Sequence, residues 1–200
     1  MLGEQAVVVL VEGESDVAAL EVLLRRRGLA SGVVLRDMGG VTNVRVRLRE
    51  AVSDVSTRRV LGLCDARESA YVVRALVAHG VPVTTAEEMA AFGFHACDPD
   101  LEGELIAALG AEQTRAVIGR LDLGPAFELF GRQQAWRGRP LAEQLRRFAG
   151  TVSGRKTLVA RAMAEAVADE QLPAPMRRLL DQVQDAVGQV GGPALARFEG

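Results

Sequence analysis

The sequence predicts an α/β protein, in which a mostly parallel sheet is flanked by helices and followed by a helical extension. Three observations carry this. Short aliphatic runs alternate with amphipathic stretches through the first half of the chain. The runs are continuously apolar, as strands covered on both faces are. From Glu112 onward the pattern is helical throughout.

Ala6-Val-Val-Val-Leu-Val11 is the first strand. Ser15 to Arg27 has apolar residues at Val17, Leu20, Leu23 and Leu24, a helical period that Gly28 stops. Gly32 to Leu35 reads as the second strand, ending in Met38-Gly-Gly40, with a helix from Val41 to Ser53. Val60 to Cys64 is the third strand, followed by a helix from Ala70 to His79 and a stop at Gly80. Phe92 to Cys97 is a further strand, and Leu101 to Leu109 a helix closed by Gly110. Breaks in the helical half fall near Gly124-Pro125, Gly138-Arg-Pro140, Gly150 to Gly154 and Pro173-Ala-Pro175. A last helix runs from Met176 to Val190, before Gly191-Gly-Pro193. The expected division is an α/β core over residues 1–125 and a helical extension over 126–200.

With 200 residues, 48% hydrophobic and 25% charged, the chain is long enough to bury one good core. The stretch before and through Val11 lacks a basic leader and is too short for a signal or a membrane span, so a cytoplasmic location is expected. Two cysteines, Cys64 and Cys97, do not make a disulfide scaffold and read as small buried hydrophobes. His79 and His95 are too scattered for a zinc site; His79 fits a helix C-terminus and His95 the sheet packing. A net charge of −2 gives no global pull on nucleic acid, so any such binding rests on a local patch.

In a parallel α/β sheet, ligands bind beyond the carboxyl ends of the strands. Acids stand at three such ends: Glu12, Glu14 and Asp16 after the first strand, Asp65 and Glu68 after the third, and Asp98, Asp100, Glu102 and Glu104 after the fourth. Asp16, Glu68 and Glu104 also suit the first turn of a helix, where acids complement the dipole. Glu12 and Asp65 directly follow apolar runs, where a turn more often uses glycine or asparagine. Hard oxygen ligands gathered this way suit Mg²⁺ or Mn²⁺, and two such ions can activate water and steady a leaving oxygen. Neither G-x-x-x-x-G-K-[ST] nor G-x-G-x-x-G follows the first strand, which argues against an ATPase and a Rossmann dehydrogenase.

Val9-Leu-Val-Glu-Gly-Glu-Ser-Asp16 resembles the first motif of the Toprim family of topoisomerases, primases and nucleases, and Asp65 falls where its Asp-x-Asp motif begins. The closer likeness is to the Toprim domain of the OLD (overcoming lysogenization defect) nucleases. Asp100-Leu-Glu-Gly-Glu-Leu105 resembles their downstream glutamate motif, and Gly154-Arg-Lys156-Thr-Leu-Val-Ala160 their late lysine motif. Lys156 is the sole lysine among 24 basic residues. The resemblance implies a Toprim (Rossmann-like) fold and a Mg²⁺- or Mn²⁺-dependent endonuclease with two ions. In it Glu12 and Asp16 would bind one metal, and Asp65 and Glu102 would help bind the second. Lys156 would stabilise charge on the phosphate, and Glu12 would double as a general acid or base. Glu68 and Asp100 complete the candidate ligands. The second aspartate of Asp-x-Asp is Arg67 here, which would repel a cation if it pointed inward; Glu68 and Asp98 are the candidate substitutes. The ATPase region of the full OLD proteins has no counterpart in these 200 residues, so an ATPase partner would come from another chain.

Between Arg132 and Arg161 eight basic residues face one acid, Glu143. Arg132, Arg137, Arg139 and Arg155 are the candidate contacts to nucleic acid, DNA ahead of RNA. The same run also fits a solvated face that pairs with the acidic stretch Glu87 to Glu128, within the chain or across a homodimer. Trp136 fits core packing better than base stacking. The function expected is thus metal-dependent nuclease or nucleotidyl-transfer chemistry. The alternative is a non-catalytic Toprim module that binds nucleic acid or a partner ATPase. A phosphoacceptor domain using Asp65 ranks last, because it has no place for the motif after Asp100 or the helical half.

Overall fold

The structure, a computed structural model, describes residues 6–152 and 154–188. Four strands, β1 (Ala6–Val11), β2 (Val33–Asp37), β3 (Thr57–Asp65) and β4 (Phe94–Cys97), form one all-parallel sheet in the order β2-β1-β3-β4. The helices are α1 (Glu14–Arg26), α2 (Val44–Ser53), α3 (Ser69–Val77), α4 (Leu101–Leu109), α5 (Ala111–Arg120), α6 (Gly124–Gly131), α7 (Leu141–Ala149), α8 (Arg155–Ala166) and α9 (Ala174–Gly188). The α/β expectation is met, and the sheet is parallel throughout.

Strand alternation divides the core in two. Val7, Val9 and Val11 of β1 point with Leu61 and Leu63 into a core shared with α1 and α4 to α9. Val8 and Leu10 point with Val60 and Cys64 to the opposite face, under α2 and α3. Both faces are covered, which is why the strands read as unbroken apolar runs. Gly62 is obligatory in β3, since a Cβ there would lie 2.5 Å from the Phe94 ring of β4. The helices of the second half bury their apolar faces in the same core as the sheet. Phe127, Phe130 and Phe148 meet edge-to-face at centroid distances of 5.2 and 5.6 Å, and Trp136 stacks on Phe130 at 5.2 Å. Each such pair adds about 1 kcal/mol beyond its burial.

Local differences from the sequence reading have local causes. β2 is shifted to Val33–Asp37 because Ala30 to Gly32 form a 3-10 turn. β4 starts at Phe94 because Glu88 to Phe92 form another 3-10 turn, closed by Gly93 at φ 89°. Val41 to Asn43 are likewise 3-10, so the regular helix begins at Val44. His79 lies two residues past the end of α3, where its Nδ1 meets the Ala75 carbonyl at 2.8 Å. His95 is buried, its Nε2 3.0 Å from Gln182 Oε1, and Gln182 in turn donates to the Ala90 carbonyl. That chain ties α9 to β4. The expected helix end at Val190 and the Gly191-Gly-Pro193 stop lie outside the described residues. No described helix is long and apolar enough to cross a membrane.

Candidate metal centre

Because all four strands are parallel, their carboxyl ends share one edge, and the acids after β1, β3 and β4 gather there. Glu12 follows β1. Its backbone is fixed by the loop after β2, where Met38 N–H donates to the Val11 carbonyl and Gly40 N–H to the Glu12 carbonyl. Asp65 ends β3. The 3-10 turn Ala66–Glu68 then reverses the chain and swings Glu68 back beside Glu12. One oxygen from each of Glu12, Asp65 and Glu68 lies within 4.8 Å of the others.

Oε2 of Glu12 and Oε2 of Glu68 are buried and accept no hydrogen bond from any of the described residues. Burial, the neighbouring Glu68 carboxyl and the charge of Asp65 push Glu12 up to about 8. Asp65 rises to about 6, through burial and then the Asp100 charge. Asp16 sits in the first turn of α1, where its Oδ2 accepts from Gly13 N–H at 3.0 Å. Burial and the neighbouring Glu102 push it up to about 7. Buried anions left this way are costly unless a cation joins them. An all-oxygen donor set with orphaned lone pairs fits a hard divalent ion.

The acids after β4 have a different environment. Asp100 caps α4, its Oδ1 accepting from Gly103 N–H at 2.8 Å. Gly103 must lack a side chain, because a Cβ would lie 2.8 Å from Pro99 Cδ and 3.1 Å from Asp100 Oδ1. The other oxygen, Oδ2, accepts from both Nε and Nη2 of Arg146 in α7, at 2.8 and 2.5 Å. Glu102 is 2% exposed, with Oε2 3.3 Å from Lys156 Nζ in α8 and Oε1 unpartnered. Burial raises Glu102, opposed by Lys156. Burial works against the Lys156 ammonium, yet Glu102 and Asp16 hold it above its ordinary range. Glu104 accepts from the Asp98 backbone N–H, and Asp98 itself is exposed.

Arg67 does not fill the nest. Its side chain is 70% exposed, with Nη2 3.5 Å from Asp65 Oδ2. Of the two candidates to replace the second aspartate, Glu68 joins the cluster and Asp98 does not. Arg146 is the residue that sequence reasoning counted in the basic run without giving it a place at the site. Its partner lies 46 positions away, and nothing local marks it.

The basic run is partly neutralised. Arg132 approaches Glu128 at 3.9 Å and Arg139 approaches Glu143 at 3.7 Å, with the Arg139 guanidinium 5.7 Å from the Trp136 ring centre. Arg137 donates to the Arg132 carbonyl, so these three share the α6–α7 connection. Arg155 stands apart, beside Lys156 at the start of α8, packed 4.1 Å from the centre of the Phe148 ring.

The parallel α/β sheet with carboxylates at its strand ends is consistent with a Toprim (Rossmann-like) fold, and it carries a candidate cation nest. Among solved structures the chain is similar to the C-terminal region of the Burkholderia pseudomallei OLD protein. The TM-score is 0.67 at 17% identity, over 90% of this chain and 98% of that one. It is also similar to the C-terminal region of the Xanthomonas campestris pv. campestris OLD protein, with a TM-score of 0.65 at 21% identity over 94% and 97%. The fold is therefore that of the OLD C-terminal region, as the motifs implied. No family model and no curated protein sequence matches the chain.

Proposed function

We propose that this chain is a divalent-metal-dependent nuclease, an OLD-type Toprim endonuclease acting on nucleic-acid phosphodiesters, DNA ahead of RNA. The observation that carries the reading is the set of orphaned oxygens. Carboxylates from different strand ends converge, and buried lone pairs on Glu12 and Glu68 have no partner among the described residues. Glu12, Asp65 and Glu68 would hold a Mg²⁺ or Mn²⁺ ion, and Asp16 and Glu102 would be the ligands for a second. A divalent ion supplies bound water of lowered pKa and neutralises charge on phosphate. Lys156, steadied by Glu102, offers its ammonium to the phosphate oxygens. Arg155, Arg132, Arg137 and Arg139 supply backbone contacts farther along the strand. An ATPase partner and a homodimer belong to the same proposal, as does a cytoplasmic setting.

A second reading rests on one contact. Arg67 stands 3.5 Å from Asp65 and competes with a cation there, which favours a non-catalytic module that binds nucleic acid. One experiment separates the two: incubation of supercoiled plasmid and labelled single strands with Mg²⁺, Mn²⁺ or EDTA, using wild type, Glu12→Ala and Lys156→Ala. Metal-dependent cutting lost in both variants supports the nuclease. Cutting retained by Glu12→Ala contradicts it, and binding without cutting under either metal leaves the module.

A further inference from the structure

The acids that flank the centre are not equivalent, and the difference assigns a role to a residue outside every motif. Asp100 has committed both carboxylate oxygens: Oδ1 caps α4 through Gly103 N–H, and Oδ2 receives two N–H groups from Arg146. A carboxylate engaged by a helix terminus on one oxygen and a guanidinium on the other has little left for a metal. Arg146 is the reverse case. Its Nε and Nη2 face Asp100, whereas Nη1 has no hydrogen-bond partner among the described residues. The side chain is 40% exposed, so its outer edge reaches solvent. Asp100 lies three residues past Cys97, which is in register with Asp65 at the end of β3, so the guanidinium bonded to Asp100 stands at the border of the carboxylate nest. A planar guanidinium locked along one edge and open along the other is a preformed donor for phosphate oxygens.

We infer that Arg146 binds the nucleic-acid phosphate beside the metal centre, and that Asp100 is its positioning residue rather than a metal ligand. This rests on the nucleic-acid reading above and adds a substrate contact to it. Arg146 from α7 and Lys156 from α8 then present two cations from the helical side to a strand whose reacting linkage lies over the acids. The lysine is held by Glu102 and the arginine by Asp100, so each cation has its own buried anchor.

The test uses the full chain and two readouts that need no turnover. Mn²⁺ affinity is measured by calorimetry, and affinity for labelled single-stranded and duplex oligonucleotides by fluorescence anisotropy in Ca²⁺. The variants are Arg146→Ala, Asp100→Asn and the double variant. Asn keeps the helix cap. The double variant removes both charges, so neither is left buried alone, and circular dichroism checks each fold. Arg146→Ala and the double variant are expected to bind oligonucleotide about 10-fold more weakly, the loss of one charge-assisted contact. Their Mn²⁺ affinity stays within about 3-fold of wild type. Asp100→Asn weakens oligonucleotide binding less, and Mn²⁺ binding not at all. Oligonucleotide affinity unchanged in the double variant, or Mn²⁺ affinity lost in Asp100→Asn, overturns the inference. A wild type that binds Mn²⁺ but no oligonucleotide overturns it together with the nucleic-acid reading, and one that binds neither removes the metal centre as well.

Discussion

The two sides of the strand-end nest hold similar acids in opposite states. On the β1/β3 side, Glu12, Asp65 and Glu68 crowd together, and two buried oxygens have no partner among the described residues. On the β4 side, Asp100 is matched by Arg146 and Glu102 by Lys156. Both are built from carboxylates at the carboxyl edge of one sheet. Protein cations answer most of the β4 side, where Glu102 Oε1 alone lacks a partner among the described residues; on the β1/β3 side the exposed Arg67 stands 3.5 Å from Asp65, and nothing among the described residues reaches Glu12 Oε2 or Glu68 Oε2. The crowding of acids is greatest on the β1/β3 side, so experiments that remove charge should affect the two sides differently.

The largest expected effect is on turnover. Glu12→Ala removes a ligand from the β1/β3 side, and metal-dependent cleavage should drop by about 10³-fold or more, read by plasmid nicking across a Mn²⁺ series. The same change should not unfold the metal-free chain, because it relieves repulsion.

The next effect is on stability against pH. Folded, metal-free Asp65, Asp16 and Glu12 keep their protons to about 6, 7 and 8. Unfolded carboxyls lose theirs near pH 4, by the usual values of about 3.9 for Asp and 4.3 for Glu. The folded chain therefore binds more protons in that window, and its stability falls as pH rises toward 8. Thermal melts in EDTA should show Tm falling from pH 5 to pH 8. Mg²⁺ or Mn²⁺ should restore it most at pH 8, where the ligands are ionised. Glu12→Gln should flatten the EDTA profile. A Tm in EDTA that rises over this range would contradict the burial of these acids.

On the β4 side, Gly103→Ala should destabilise by about 1–3 kcal/mol, as overpacking does, since the added Cβ meets Pro99 and Asp100. Chemical denaturation at fixed pH measures it, with the loss unaltered by metal. The smallest effect is expected from Arg67→Ala. That guanidinium is 70% exposed and 3.5 Å from Asp65, so screening limits its influence. Mn²⁺ affinity should rise by only about 2- to 3-fold on its removal, the size of a surface ion pair.

The same contrast marks what the chain discloses as a sequence. The buried strands were legible because both faces are covered and the apolar runs are unbroken. The acids at their ends were legible because Glu12 and Asp65 break those runs where a turn residue is normal. Pairing was not. Glu68 reaches Glu12 only because Ala66 to Glu68 form a 3-10 turn, and a short turn leaves no periodic signature. Arg146 looked like one of eight basic residues on a ridge, since its bond to Asp100 depends on how α7 packs against α4. Strand and helix boundaries shifted for a similar reason, with 3-10 turns occupying residues whose composition suits regular structure.

The central claim is that Glu12, Asp65 and Glu68 form a cation site that the protein itself leaves unfilled. The most direct measurement is calorimetric titration of Mn²⁺ into the EDTA-stripped chain at pH 7, repeated in buffers of different ionisation enthalpy. Wild type should bind Mn²⁺ and release protons, because Glu12 and Asp16 must shed theirs as the ion enters. Glu12→Gln and Glu68→Gln should each lose at least about 10-fold in affinity. No binding by wild type, or equal binding by both variants, would contradict the account.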